Sequence, residues 1–451
     1  MKRKNIDMTQ GPIALPMLSF MLPLIFGSLF QQLYNTVDFI FVGNYMDDVA
    51  AAAVGASGSL ISCLVGFFTG ASVGASIVIS RKIGAKIQKD VEDALHTAAT
   101  FGLIFGIVLM TIGLVFCIPI LKALNTPDNV IAEASLYLRI YMISLPFSFT
   151  YNMLTGAMRA WGDSNTPFRI LAFCGFLNVA MDYLFIVIIP LGVLGVAIAT
   201  LISQGASCVM AVIASKRKDS PVVLCARKLH IRADLLKDIL YIGLPAGVQS
   251  VIITFSNMMV QYHINAYGSV AIAGFSSYYK VENLIYIPLM AVGQAATTFC
   301  GQNAGAKNYK RIQTGRYIIL GIGVVITLTI SGLILVFPKQ VFGFFINIPD
   351  VVEVGISLAV ISFPFYWIYT FLEVFGGSIR ALGYSMTSMV VTIANICVLR
   401  VVLLTIIDNH YHAVQPLAYV YPITWATTSL CFFIISNILV RKKVKEQAAI
   451  A

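Results

Sequence analysis

The chain has 451 residues, of which 58% are hydrophobic and 11% are charged, and its mean hydropathy is +0.86. Soluble globular domains carry about 25% charged residues, so this composition excludes that class and indicates a polytopic membrane protein. The formal net charge of +10 would suit a nucleic-acid partner, but its distribution along the chain excludes that interpretation.

About twelve apolar stretches are long enough to cross a membrane as helices, which requires ~20 mainly apolar residues. They centre on residues 15–42, 50–78, 93–118, 132–160, 166–190, 193–215, 236–266, 270–299, 315–338, 352–378, 386–408 and 416–440. No small-x-small cleavage site closes the first stretch, so we expect a retained helix rather than a signal peptide.

Basic residues concentrate in alternate connections between these stretches. The set comprises residues 2–4, 81–89, 215–238, 307–316 and 441–445, with Arg159, Arg169 and Arg380. Positively charged connections face the cytoplasm in membrane proteins. We therefore expect both termini in the cytoplasm, and a multi-pass protein of the bacterial inner membrane.

The first predicted span carries a proline and a carboxylate. Pro23 removes a backbone hydrogen bond and favours a kink, and Gly27 one turn later makes it the best hinge candidate. Asp38 lies on the same helix, where an ionised carboxylate at mid-membrane costs ~2.5–3.5 kcal/mol and usually marks an ion or substrate path. Other predicted spans also contain prolines, at Pro146, Pro245, Pro288 and Pro364.

The second span contains GASVG at residues 70–74, which fits the nucleophile motif of hydrolases. That motif requires a strand-turn-helix, whereas this match lies in a long apolar span, where small residues four apart favour close helix packing. No metalloprotease, nucleotide-binding or dinucleotide-binding motif occurs, and the eight cysteines have no metal-ligand spacing. We therefore expect a protein that is not an enzyme and has no cofactor.

The fifth span, LNVAMDYLFI at residues 177–186, places Asn178 and Asp182 four residues apart. Residues at this spacing share one helical face. An amide and a carboxylate there form either a structural hydrogen-bonded pair or two oxygen ligands for a small cation, and both Na⁺ and H⁺ suit such a site.

A basic segment at residues 215–238 separates the sixth and seventh spans, so we predict an N-terminal lobe (1–214), a cytoplasmic linker (215–238) and a C-terminal lobe (239–451). The two halves repeat each other. GAMRAWGDSNT at 156–166 recurs as GSIRALGYSMT at 377–387, IGAK at 83–86 as AGAK at 304–307, and LPLIFGS at 22–28 as LPAGVQS at 244–250. These matches lie near one offset and predict an all-α fold of two pseudo-symmetric six-helix lobes, which is typical of transporters.

The second half has two acidic residues within spans. Glu282 follows Lys280 by two residues near a predicted helix start, so a structural ion pair or an interfacial position is as open as a functional role. Glu373 lies deeper, one turn before Gly376 and Gly377. Both are candidates for a substrate or proton site in the C-terminal lobe.

Over essentially its whole length, the chain resembles the multidrug and toxic compound extrusion (MATE) family. The resemblance rests on LPLIFGSLFQQLYNTVDFIFVG, SRKIGAK, GAMRAWGDSNTPF, LNVAMDYLFI and GVLGVAIATLISQ. It implies a twelve-helix, two-lobed antiporter that expels amphipathic, often cationic organic compounds in exchange for Na⁺ or H⁺.

The resemblance also implies a coupling site. The family's N-lobe cation ligands fall on Asp38, Asn178, Asp182 and Thr200, which would be the metal ligands if the ion is Na⁺, and its bending proline falls on Pro23. This set is typical of the DinF-like branch. The seventh span has no acidic residue, which disfavours the C-lobe cation site of another branch, although Glu373 matches a position where relatives carry an acid.

The sequence disfavours three alternative functions. A lipid-linked oligosaccharide flippase of the same superfamily would need a more basic cavity, whereas only Lys280 and Arg400 lie within spans away from the inner ends. A membrane hydrolase lacks its nucleophile-base pair, and a pore is disfavoured by the duplication with single buried carboxylates. As partners we expect small organic substrates and membrane lipid but no nucleic acid, and we expect a monomer.

Overall fold

The computed structural model of the chain describes residues 6–216 and 223–450. Five residues of the basic set that predicts the cytoplasmic side lie outside the described residues: Lys2, Arg3, Lys4, Arg217 and Lys218. Within the described ranges the chain is helical and contains no strand.

The first half contains six long helices. They are α1 (Ala14–Tyr45), α2 (Asp48–Gly84), α3 (Gln88–Ala123), α4 (Asp128–Ala160), α5 (Asn165–Asp182), which continues into a π-helical turn at Tyr183–Ile188, and α6 (Val193–Ser215). A short 3-10 turn at Ala226–Lys228 follows in the linker.

The second half is more interrupted. Its helices are α7 (Ala233–Asn265), α8 (Ser269–Gly305), α9 (Tyr309–Val336), α10 (Pro338–Phe345), α11 (Pro349–Ser362), α12 (Tyr366–Ala381), α13 (Ser385–Thr392), α14 (Arg400–Tyr411), α15 (Val414–Leu417) and α16 (Val420–Ile450). A 3-10 turn at Phe363–Phe365 joins α11 to α12, and a π-helical segment at Ile393–Leu399 joins α13 to α14.

Twelve of these helices or joined helices are long and apolar enough to cross a membrane, and all twelve predicted spans are confirmed. Their ends differ from the hydropathy estimate because capping, rather than apolarity, ends a helix. The side chain of Asp47 accepts a hydrogen bond from the N–H of Ala50 at 2.8 Å and so caps α2. Similarly, Asp163 accepts from the N–H of Thr166 at 3.0 Å where α5 begins.

The backbone conformation of the connections repeats between the halves. Lys86 and Lys307, the last residues of IGAK and AGAK, adopt left-handed φ values of 57° and 55°. Gly162 and Gly383, which lie within the two matched arginine segments, have φ values of 85° and 91°. These pairs lie 221 residues apart in the sequence, so the sequence repeat is also a repeat of turn geometry.

The chain divides into two compact units. The first contains Phe26–Leu240 and is organised around α4, which packs against α2, α3 and α6. Helix α2 is continuous through residues 70–74, so the GASVG segment does not have the strand-turn-helix geometry of a hydrolase motif.

The second unit contains Ile6–Ile25 and Tyr241–Ala451. The span formed by α11 and α12 is its centre, because α12 packs against α8, α9 and α16. The segment before α1 is fixed within this unit by Met8, whose N–H donates to Gln302 Oε1 at 3.0 Å and whose carbonyl accepts from Asn303 Nδ2 at 3.0 Å. The unit boundary therefore falls inside α1, directly after Ile25.

The prolines within spans differ in their effect. Pro23, Pro146, Pro245 and Pro288 lie inside helices that continue past them. Pro364 lies in the 3-10 turn between α11 and α12, where the missing N–H and the fixed φ of proline interrupt the α-helix.

Candidate functional site

The first unit brings Asp38, Asn178 and Asp182 together. Asp38 lies on α1, whereas Asn178 and Asp182 lie one turn apart on α5. With its amide nitrogen turned towards α1, Asn178 donates to Asp38 Oδ1 at 2.9 Å and to Oδ2 at 3.1 Å. The carboxyl groups of Asp38 and Asp182 are near enough to interact electrostatically.

Asp182 is the most isolated member of this group. Its side chain is fully buried, and neither carboxylate oxygen accepts a hydrogen bond from the described residues. Buried carboxylates are normally paired or hydrogen-bonded, because taking an unpaired charge out of water is costly. Its two oxygens therefore need a proton or a cation.

Three tyrosines surround the carboxylates. Tyr34 lies one turn before Asp38 on α1, and Tyr137 and Tyr141 lie one turn apart on the buried face of α4. Tyr34 and Tyr137 both interact electrostatically with Asp38, and Tyr141 interacts with both of these tyrosines. Sequence reasoning missed them, although the four-residue spacings of Tyr34 from Asp38 and of Tyr137 from Tyr141 indicate shared helical faces.

The close approach of α1 and α5 depends on a glycine. A Cβ atom at Gly175, one turn before Asn178, would lie 3.1 Å from Tyr34 Cδ1, so the missing side chain leaves room for the tyrosine ring. Asp182 is the last α-helical residue of its span, and the π-helical turn begins at Tyr183. Such π-turns are frequent at functional sites.

The structure places the other two predicted residues of the first half less directly. Thr200 lies half-buried on α6, and among the described residues no hydrogen bond joins its hydroxyl to Asp38, Asn178 or Asp182. Pro23 is half-buried within α1, two residues before the unit boundary.

In the second unit, Glu282 is buried well inside α8. It accepts a hydrogen bond from the hydroxyl of Tyr366, and no ion pair with Lys280 is present in the described part of the chain. The expected position near a helix start is wrong, because α8 begins a full thirteen residues earlier, at Ser269.

Glu373 is buried on α12. It packs against Gly293 of α8 so closely that a Cβ atom there would overlap the carboxylate. Arg380, two turns later on the same helix, interacts with it electrostatically. This unit therefore has two separate buried carboxylates, each with its own polar neighbours.

The donor set in the first unit consists of carboxylate and amide oxygens, which suit small hard cations. In the ranges that the structure describes, no group of three or more His, Cys, Asp and Glu side chains is arranged to hold a metal ion.

A family model described as MatE matches the chain twice, at residues 23–184 and 245–406. The two matched ranges are equal in length and begin 222 residues apart, at residues 23 and 245. This match agrees with the repeat found in the sequence and in the turns.

Among curated proteins, the probable multidrug resistance protein YpnP of Bacillus subtilis (strain 168) is 30% identical over 407 residues, which cover 88% of this chain and 89% of the relative. The multidrug export protein MepA of Staphylococcus aureus (strain MSSA476) is 22% identical over 375 residues, with 83% of each chain covered.

Among solved structures, an outward-facing conformation of a multidrug resistance MATE family transporter of the MOP superfamily superposes with a TM-score of 0.92 at 22% identity, covering 99% of this chain and all of that one. A MATE structure in a bent conformation gives a TM-score of 0.91 and one in a straight conformation 0.90, each at 22% identity and with 99% of this chain covered. At this level of identity these likenesses show the fold.

Proposed function

The chain belongs to the MatE family of multidrug efflux transporters, and from that premise we propose that it exports amphipathic, often cationic organic compounds in exchange for inward H⁺ or Na⁺. Its function is transport rather than catalysis, and it is a multi-pass membrane protein. The substrate class follows that of its curated relatives, which are named as multidrug resistance and export proteins.

One observation carries the coupling proposal: the buried carboxylate of Asp182 has no hydrogen-bond donor and lies beside Asp38. Two adjacent carboxylates repel each other when both are ionised, and low dielectric strengthens that repulsion. Binding of one H⁺ or Na⁺ removes it. A site in which both carboxylates are ionised and no ion is bound is therefore unfavourable. This repulsion favours ion binding before the conformational change.

Asn178 contributes to this site in two ways. Its amide nitrogen donates to Asp38, and charge-assisted hydrogen bonds of this kind are the strong ones. Rotation of the amide by half a turn would present its oxygen to a bound cation instead. Thr200 on α6 is the further oxygen ligand that we propose for Na⁺.

Ion binding is communicated through α1, which carries both Asp38 and Pro23. Because a proline leaves one helix hydrogen bond unmade, repacking of α1 around Pro23 on ion loading would weaken the hold on cationic substrate and release it outward. The loaded protein then turns inward, releases the ion and takes up new substrate, which completes alternating access.

The remaining assignments are also proposals. Glu373 and Glu282 are the candidates for a substrate or proton site in the second unit. We place the protein in the bacterial inner membrane as a monomer with both termini in the cytoplasm, and we assign it to the DinF-like branch, because its acidic ligands lie in the first unit.

The test is Asp182→Asn in proteoliposomes loaded with ethidium, with a proton or a sodium gradient imposed separately. Gradient-driven efflux should fall at least about tenfold, whereas thermal stability is retained, because the change removes a charge that has no partner. The matched control, Asp128→Asn, changes an exposed aspartate at the start of α4 and should leave efflux unchanged. Wild-type efflux in Asp182→Asn would refute the assignment.

A further inference from the structure

The second unit contains a buried cation that no step of the proposed exchange uses. The side chain of Arg400 is 2% exposed. Its guanidinium donates to Asn257 Oδ1 at 3.0 Å and to Ser256 Oγ at 3.3 Å on α7, and it lies 5.1 Å from the ring centroid of Tyr421. The Nε atom has no hydrogen-bond partner among the described residues. Arginine stays protonated in proteins, so this is a permanent charge inside a membrane-spanning unit.

The internal repeat places Arg400 at the position of Asn178. Leu177, Asn178 and Val179 correspond to Leu399, Arg400 and Val401, at an offset of 222 residues between 178 and 400. The offset is 221 at Gly162 and Gly383, before α13. The π-helical segment Ile393–Leu399 accounts for the difference, because a π-turn accommodates one extra residue in a helix.

The contacts of the two residues agree with this correspondence. Asn178 reaches from the fifth span to α1, and Arg400 reaches from the eleventh span to α7. The family model likewise aligns α1 with α7, since its two matches begin at Pro23 and Pro245. The two units therefore use the same helix pair to hold one polar group each.

The carboxylates of the first unit have no counterparts in the second. At the same offset, Asp38 corresponds to Val260 and Asp182 to Leu404, and both of these side chains are fully or almost fully buried. The second unit therefore has a fixed cation and two apolar residues where the first has an amide and two acids. Such a site repels any further cation.

The charge of Arg400 has a counterpart in Glu282. The two groups interact electrostatically but form no ion pair within 4 Å in the described part of the chain. Aromatic rings connect them: Tyr421, which packs on Arg400, contacts Trp425 with ring centroids 5.7 Å apart. Trp425 in turn contacts Tyr366 at 4.5 Å, and Tyr366 donates to Glu282. Buried charges are retained only when they are compensated, and Glu282 is the acid in range.

We propose that Arg400 is a built-in cation at the second unit's counterpart of the coupling-ion site, compensated by Glu282, so that the exchanged ion binds only in the first unit. Glu282 is then a fixed counter-charge, and Glu373 is the acid left to serve a substrate site in the second unit. This inference rests on the proposed function for the meaning of the coupling site, but the pairing of Arg400 with Glu282 stands independently.

A thermal double-mutant cycle on detergent-purified protein tests the pairing without any transport. Arg400→Met and Glu282→Gln should each lower the Tm by about 5 °C or more, because each leaves one buried charge uncompensated. The Tm of the double variant should recover to within about 2 °C of the wild-type Tm. The Tm of Arg400→Lys should lie between those of Arg400→Met and the wild type. A double variant whose Tm loss equals the sum of the two single losses would overturn the pairing. The double variant still tests the pairing if one of the single variants does not fold.

Ion binding tests the consequence for coupling. The probes are ²²Na⁺ at equilibrium and, in weakly buffered solution with a pH-sensitive dye, H⁺ released on addition of ethidium. For the ion that the wild type binds, Asp182→Asn should remove all saturable binding. Binding that persists in Asp182→Asn and is lost on adding Glu282→Gln would overturn the inference. If the wild type binds neither ion, the proposed exchange fails, while the thermal cycle still decides the pairing.

Discussion

Two aspartates and one asparagine meet in the first unit, and the asparagine is the sole hydrogen-bond donor that the described residues supply to either acid. This donor serves Asp38 and leaves Asp182 without any. The two acids are therefore unequal: Asp38 accepts hydrogen bonds from Asn178, whereas Asp182 accepts none from the described residues. We infer that Asp182 drives ion loading and that Asp38, on α1, transmits it.

Removal of the donor should impair exchange. In Asn178→Leu, Asp38 loses hydrogen bonds to a charged group, which contribute about 1.5–3 kcal/mol, and a bound cation loses an oxygen ligand. We expect ethidium efflux in proteoliposomes to fall about tenfold or more. Asn152→Leu is the control, because Asn152 on α4 donates only to the carbonyl of Ser148 one turn earlier, and it should stay within about twofold of the wild type. Equal efflux from the two variants would contradict the role of Asn178.

The sequence predicted the acidic residues of this site but not its tyrosines. A carboxylate in an apolar run is conspicuous because it is costly there, and the spacing of Asn178 and Asp182 is a local property of one helix. Tyr137 and Tyr141 are instead brought to the site by the packing of α4, and tyrosine is common enough in membrane spans to give no such signal. The role of Thr200 stays a prediction.

At the scale of elements, the linker is docked onto the first turns of α3. His96, fully buried on α3, accepts the N–H of Cys225 at Nε2 over 3.0 Å. Arg232 binds Asp90 and Asp93 at 2.9 Å each, as well as its neighbour Asp234. The hydrogen bonds that Arg232 donates to Asp234, Asp93 and Asp90 raise the pKa of Arg232 well above its ordinary value. The end of the linker is therefore part of the first unit.

Loss of this clamp should release the linker locally. We expect Arg232→Ala to increase amide hydrogen exchange in residues 223–232 at least about fivefold, because local opening follows the loss of the contacts that hold a segment closed. Exchange within α4 should not change. Arg227 is exposed and forms no ion pair in the described part of the chain, so Arg227→Ala is the matched control. Hydrogen exchange followed by mass spectrometry measures both, and unchanged exchange in Arg232→Ala would show that the clamp does not hold the linker.

The proline of α1 should affect transport more than stability. Pro23→Ala restores a backbone N–H that can bond to the carbonyl of Ser19, so α1 becomes stiffer while its packing is little changed. We expect efflux to fall several-fold with an unchanged or higher Tm. Pro119→Ala makes the same backbone change inside α3, which carries none of the proposed coupling residues, and should leave efflux near the wild-type rate. A loss of efflux in both variants would indicate a general effect of helix stiffening rather than a hinge at Pro23.

The twelve spans were predictable because each is a long apolar segment, and apolarity is a local property of the sequence. The departures from regular helix in the fifth and eleventh spans were not predictable from the sequence. The π-helical turns at Tyr183–Ile188 and Ile393–Leu399 contain no proline or glycine that would indicate them. By contrast, the 3-10 turn at Phe363–Phe365 contains Pro364, and a proline within a predicted span indicates an interruption of the helix.

At the scale of the whole molecule, the two units share a fold and differ in charge. Both repeat the same turns at Lys86 and Lys307, yet the first unit has an amide and two acids where the second has Arg400 and two apolar residues. The two similar bundles therefore differ at a few buried positions. We infer that ion binding in the first unit and substrate binding at Glu373 in the second is the division of roles that this asymmetry favours.

The repeat also makes a prediction about orientation. Because each half begins on the same side of the membrane, the connections at Lys86 and Lys307 should both face the cytoplasm, and the turn at Asn125 between α3 and α4 should face outward. Alkaline phosphatase fused after Asn125 should be active. At equal expression, the activity of the same fusion after Lys86 or Lys307 should be at least about tenfold lower. A green fluorescent protein joined to the C-terminus should fluoresce, since it folds in the cytoplasm. Strong phosphatase activity after Lys86 together with little after Asn125 would show that the protein has the opposite orientation in the membrane. The proposed directions of ion and substrate movement would then also be reversed.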